Sequence, residues 1–229
     1  FLFALRYTEN MKQEARIHML EKQKQRKQSE SMRARKRGVS ALYVVGAALL
    51  SCAHITGVGA PFGVAFAAAA CRTGYGFGAV LGTFVGYLLS MHGAEGVPYA
   101  GAALMTLAAA TIFSGTQIPS ARWFFPAMSA ASVAATGAIF VFADGFKWEN
   151  MLLFACRIVL AGGAAYFYEA ALDTMRGRPQ VVRFGGMLVL AATLLMAAYP
   201  FSVADLVCPA RIAALFVVMA ISYMGGFSY

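Results

Sequence analysis

The chain has 229 residues, 60% of them hydrophobic and only 13% charged, where a soluble domain carries about 25% charged residues. With a mean hydropathy of +0.64, this composition excludes an ordinary water-soluble domain and describes a polytopic membrane protein. The net charge of +9 is segregated, because residues 1–37 hold eleven Lys and Arg against four Glu and so supply +7 of it.

The first expected unit, 1–37, is a basic cytoplasmic tail. Next to a hydrophobic span, such a run is attracted to anionic lipid headgroups by about 1 kcal/mol per basic residue. Nucleic-acid binding is the competing reading. It is disfavoured because the only aromatics of the tail, Phe1, Phe3 and Tyr7, stand far from the dense charge. Membrane lipid is therefore the expected partner and nucleic acid is not. The chain begins at Phe1 rather than Met and stops at Tyr229 within apolar sequence. The expectation is a fragment of a longer product, with Met11 or Met19 as initiator if the first residues are upstream translation. No signal peptide is expected, since the first apolar stretch runs into Gly57-Val58-Gly59-Ala60-Pro61 and further spans.

The second expected unit, 38–229, is an all-α multi-span membrane domain. Charges, prolines and glycine clusters divide it into eight expected spans at 39–56, 61–72, 76–91, 97–115, 122–142, 150–172, 184–200 and 204–227. Most approach the 17–25 residues that a helix needs to cross about 30 Å of hydrocarbon. The segment from Pro61 to Arg72 is too short and has a re-entrant half-helix as its alternative. Charge placement favours a crossing. With the tail inside, the inner joints carry Arg72, Arg122, Arg176, Arg178 and Arg183, whereas the outer joints carry Lys147 as their only Lys or Arg, beside His92, Glu95, Asp144, Glu149 and Asp205. A short, protein-surrounded crossing and a cytoplasmic N-terminus follow.

The third span reads Gly78-xxx-Gly82-xxx-Gly86. Glycines four apart share a helix face and let another backbone approach closely, which drives helix association where lipid supplies no hydrophobic force. No G-x-x-x-x-G-K-S/T accompanies them, so a phosphate loop is disfavoured. Self-association through this face is expected, and Gly82→Leu is expected to impair it or the assembly of the domain. Two arginines fall inside spans, Arg157 in the sixth and Arg211 in the eighth. An intramembrane Arg costs at least about 2.5 kcal/mol, so each should face protein or snorkel. Both lie in the outward half, where Asp144, Glu149 and Asp205 are the candidate partners. At the inner end of span six, Glu169 and Asp173 stand one turn apart, with Arg176 and Arg178 as expected partners. Structural pairing is favoured over transport for these charges.

Cys52, Cys71, Cys156 and Cys208 form no C-x-x-C and are expected to be small packing residues. His18, His54 and His92 have no metal-ligand spacing, and His54 is expected to be hydrogen-bonded between helices. Neither G-x-S-x-G nor H-E-x-x-H occurs. No catalytic, metal or cofactor residue is therefore assigned, and this stretch is not expected to be an enzyme.

The segment from Pro61 to Ala69, the glycine-rich span after it, and Pro209-Ala210-Arg211 leading to Gly225-Gly226 resemble the N-terminal membrane region of the stage II sporulation protein E family. The likeness extends from about residue 36 to 229, and the long basic tail departs from it. The resemblance implies roughly ten spans in the whole protein, then a cytoplasmic region that interacts with the division protein FtsZ and a PP2C-type serine/threonine phosphatase domain. That domain, which requires manganese or magnesium, acts on a phosphorylated anti-anti-sigma factor and so activates a forespore sigma factor. This chain would hold about eight spans and none of the catalytic part, so no metal-binding aspartate is carried over. Its implied location is the bacterial cell membrane, at the polar division septum during sporulation. The chief rival is a small-solute transporter or its substrate-binding membrane subunit, although span six has Gly162-Gly163 but no proline to match the interruption at span two. A purely structural membrane subunit is the third reading.

Overall fold

The computed structural model describes residues 36–55, 59–91, 95–143, 148–177 and 183–198. The chain divides into two units, Phe1–Ala41 and Leu42–Tyr229. Residues 36–52 form helix α1, whose part from 42 onward belongs to the second unit. There follow α2 (Phe62–Arg72), α3 (Gly76–Ser90), α4 (Val97–Ile112), two single 3-10 turns, α5 (Phe124–Ala143), α6 (Trp148–Met175) and α7 (Arg183–Ala197). Among the described residues the only extended pairing is an isolated bridge between Ile55 and Gly59. The all-α expectation therefore stands for the described residues. The eighth expected span, 204–227, and Arg211 within it lie outside them.

Local chemistry explains the helix limits. Pro61 precedes α2 and Pro98 sits in the first turn of α4, positions where a missing N–H removes no helical hydrogen bond. After Arg72, the N–H of Gly74 bonds the carbonyl of Cys71 and the N–H of Tyr75 bonds that of Ala70. This is a Schellman closure, and Gly74 adopts the φ of +79° that it requires. The first helix stops at residue 52, short of the expected 56, because Ile55 turns away to pair with Gly59.

Helices successive in the chain alternate in direction. Gly82 and Gly86 of α3 lie against Val44 and Ala48 of α1 in rising order, so these two helices run parallel. Between α4 and α5, Thr106 donates to Ser132 Oγ at 3.1 Å while Gly101 lies beside Thr136, which makes that pair antiparallel. Antiparallel packing recurs between α5 and α6, where Gly137 meets Phe154 and Gly162 meets Ala130. Between α6 and α7, Gly186 lies against Phe167, Ala170 and Ala171, and Tyr168 donates to Thr193 Oγ1 at 2.8 Å.

The shortest helix holds the centre. α2 has 11 residues, nine of them buried without interruption from Phe62 to Ala70, and it packs on α3, α4, α5 and α6. At 1.5 Å per residue it spans about 16 Å, roughly half the hydrocarbon thickness. Its neighbours enclose it, so its ends meet protein. Tyr87 of α3 donates to the carbonyl of Ala60 before α2, whereas Arg72 meets the far end of α6. The chain thus leaves α2 at the end of the bundle opposite to the one where it enters.

Side chains are distributed in the sense that lipid demands. On α3 the buried positions include Gly82, Thr83 and Gly86, while Phe77, Leu81, Phe84, Val85, Leu88 and Leu89 are exposed. A buried face of mostly small residues, with Val80 and Tyr87 as its larger members, and large apolar residues outside match helix packing in a bilayer. Among the described residues, three helices, at Val97–Gly115, Phe124–Phe142 and Trp148–Met175, are long and apolar enough to cross a membrane, and α2, α3 and α7 are shorter apolar helices. Exposed Trp123 and Trp148 flank the 20 residues of α5, about 30 Å of helix between two belt-type aromatics.

The pair Gly162-Gly163 separates two roles of glycine. A Cβ at 162 would stand 3.2 Å from that of Ala130, whereas one at 163 would meet nothing within 4 Å. Gly163→Ala is therefore expected to raise the melting temperature of the purified protein, because a helix-interior Gly is about 0.5–1 kcal/mol worse than Ala. A lowered melting temperature would mean that the open face of α6 is covered in the assembled protein.

Candidate functional site

The described helix ends lie at two opposite ends, and each end carries a distinct arrangement. At the first, α2 and α6 run side by side in the same direction, so their C-terminal turns coincide. Arg72 Nη1 stands 3.0 Å from Glu169 Oε1, an approach too poorly aligned to count as a hydrogen bond, and Arg72 Nη2 stands 3.8 Å from Asp173 Oδ2. The two carboxylates are 5% and 4% exposed and Arg72 19%. Arg122 and Tyr166 border a recess of about 10 Å³ above them, room for one water. Arg176 reaches back to the same turn, donating to the carbonyl of Thr73 at 2.8 Å, with its guanidinium 5.7 Å from the Tyr75 ring centre.

This corrects the expected pairing of Glu169 and Asp173 with Arg176. Arg176 lies past the last turn of α6, where it donates to the Thr73 carbonyl at the end of α2; Arg178 lies outside the described residues. Arg72, brought in by a different helix, faces the carboxylates instead. The two helices are latched reciprocally, each sending an arginine to the other's terminus.

The second end holds a cavity of about 570 Å³. Its floor includes buried Tyr99 and Val133, and its rim includes exposed His54, Glu95 and Phe140. The last turns of α5 supply Thr136 and Gly137, and α6 supplies Phe154 and half-buried Arg157. Gly59 has φ +98°, and a Cβ there would collide with the Tyr99 hydroxyl. Only glycine lets that loop pass so close to the floor.

Arg157 is thus placed beside Tyr99, with Glu95 on the same cavity, whereas Glu149 is exposed on the first turn of α6 and Asp144 and Asp205 lie outside the described residues. His54 stands exposed at the rim rather than between helices. Gly82 and Gly86 belong to the seam with α1 inside this chain, and Gly78 is a half-buried residue of the same helix. Sequence reasoning missed Glu95, Tyr99 and Thr136 as neighbours of Arg157. The available signal was the hydroxyl row Ser129, Ser132 and Thr136, spaced along one face of α5.

No protein-family model matches this chain, and no curated protein or solved structure matches it. Among the described residues, no group of three or more His, Cys, Asp and Glu side chains is placed to hold a metal ion. Cys52, Cys71 and Cys156 are free thiols. The first end carries an ion-paired junction between α2 and α6, and the second an open cavity lined by both charged and apolar side chains.

Proposed function

We propose that this chain is the membrane-embedded anchoring region of a larger bacterial protein, crossing the bilayer about eight times with its basic tail in the cytoplasm. The observation that supports this reading best is the separation of charge between the two ends. Arg72, Arg122 and Arg176 collect at one end with the only buried carboxylates among the described residues, and the cavity at the other is lined by Glu95 and His54 with a single arginine, Arg157. Cytoplasmic placement of the arginine end agrees with the positive-inside rule, and the buried latch there suits a rigid support for a soluble domain.

The resemblance to the stage II sporulation protein E family refines this proposal. The anchored domain is then a PP2C-type phosphatase, and the membrane region confines it to the asymmetric septum, raising its effective concentration and favouring self-association. A fluorescent protein fused after Tyr229 is expected to concentrate at the polar septum of a sporulating bacterium; uniform fluorescence along the cell envelope would overturn the septal reading. Reporters inserted in the joints 113–123 and 92–96 are expected to label as cytoplasmic and external respectively, and the reverse pattern would overturn the orientation. The cavity favours a second reading, transport or capture of a small solute, since pockets of such chemistry between helices commonly hold ligands.

A further inference from the structure

Glu95 and Arg157 belong to different elements and carry opposite charges, yet both border the same cavity. Tyr99 in its floor lies within electrostatic reach of both. The remaining wall is largely apolar, with Val133, Phe140 and Phe154 prominent. A volume of about 570 Å³ falls within the roughly 300–1,000 Å³ typical of small-ligand sites. A simple anion drawn to Arg157 would meet the Glu95 carboxylate, and a simple cation drawn to Glu95 would meet the guanidinium. One molecule carrying both charges and an apolar group satisfies every wall.

We infer that this cavity binds a primary-ammonium zwitterion with an apolar portion, its acidic group seated on Arg157, its ammonium on Glu95 and its apolar part against Phe140 and Phe154. Arg presents a planar fork to a carboxylate or phosphate, and a carboxylate accepts charge-assisted hydrogen bonds from an N–H-bearing ammonium. A trimethylammonium group has no such N–H and is disfavoured. Arg157 lies nine residues beyond Trp148, about 14 Å along the helix. That depth lets the acyl chains of a lipid follow the aromatic wall. The shared chemistry has two sources, phosphatidylethanolamine from the bilayer or a free apolar amino acid. The inference does not rest on the anchoring reading, and loss of the ligand would leave septal localisation unchanged.

The whole chain, purified in mild detergent from a membrane containing phosphatidylethanolamine and phosphatidylglycerol, is examined by native mass spectrometry for retained lipid. The same preparation is tested for binding of radiolabelled leucine in a scintillation proximity assay. A lipid source predicts retained phosphatidylethanolamine, not displaced by added phosphatidylcholine. A solute source predicts leucine binding without lipid retention. In either case Arg157→Gln is expected to weaken binding about tenfold or more, the size of a lost charge-assisted hydrogen bond. Glu95→Lys is expected to shift lipid retention from phosphatidylethanolamine to phosphatidylglycerol, or to abolish leucine binding. Because Glu95 is an exposed rim residue, that variant tests the assignment even if Arg157→Gln fails to fold. Retention of neither zwitterion by the parent protein, or ligand selectivity unchanged in Glu95→Lys, would overturn the inference.

Discussion

Arg72→Met is expected to destabilise the bundle by about 3–5 kcal/mol, the usual consequence of removing one partner from a buried ion pair. Glu169 and Asp173 are 5% and 4% exposed, and Arg72 is the cation that contacts both. Without it, two carboxylates one turn apart on α6 face each other's charge in a water-poor setting. Methionine matches the aliphatic stem of arginine, so the loss measures charge rather than volume. The check is thermal unfolding of the purified protein in detergent, with Arg72→Met compared with the triple variant Arg72→Met, Glu169→Gln, Asp173→Asn. Neutralising all three is expected to restore most of the stability, because an uncharged set has no unpaired ion to bury. If Arg72→Met alone changed stability by less than about 0.5 kcal/mol, the level of an ordinary surface substitution, the latch would have no energetic role.

The second large effect is expected at the α1–α3 seam. A Cβ at position 82 would stand 2.1 Å from the carbonyl oxygen of Val44, and one at position 86 would stand 2.5 Å from that of Ala48. Both obstacles are backbone atoms, which no side-chain rotation can clear. Gly82→Ala is therefore expected to cost at least the about 1–3 kcal/mol of ordinary overpacking, and Gly82→Leu to prevent accumulation of folded protein. Fluorescence of a C-terminal fusion and size-exclusion profiles report both outcomes. A Gly82→Leu protein that accumulated and melted normally but no longer self-associated would move this face from the chain's interior to a contact between copies.

Much of the element pattern was legible because its boundaries are chemical. The expected span 61–72 became a helix from Phe62 to Arg72, fixed by Pro61 at one end and by Gly74 after the other. The expected span 76–91 became Gly76–Ser90, and 122–142 became Phe124–Ala143. The first span was misjudged at its end, since Ala53 and Ile55 are apolar but the bridge to Gly59 takes them out of the helix. The charge partners were not legible. Local spacing pointed Glu169 toward Arg176, but whether an arginine just past its own helix end turns back or across depends on which terminus is packed beside it. For the same reason, nothing in the hydropathy of α6 indicated that Arg157 would share a cavity with Glu95 from another joint. Glycine spacing correctly marked a close approach on α3, but spacing alone does not name the partner helix.

The placement of α2 also sets a timetable for biogenesis. A helix of 11 residues ending in an arginine offers too little apolar length to enter lipid unaided. Its ionic partners on α6 emerge from the ribosome on the order of 100 residues later, which at about 5–20 residues per second is a delay of roughly 5–20 s. Throughout that interval Arg72 has no carboxylate beside it, and the alanine-rich segment has no walls. α2 must therefore wait at the insertion machinery and enter the bilayer with its later neighbours, so the earliest helix of the core to be synthesised after α1 is among the last to be seated.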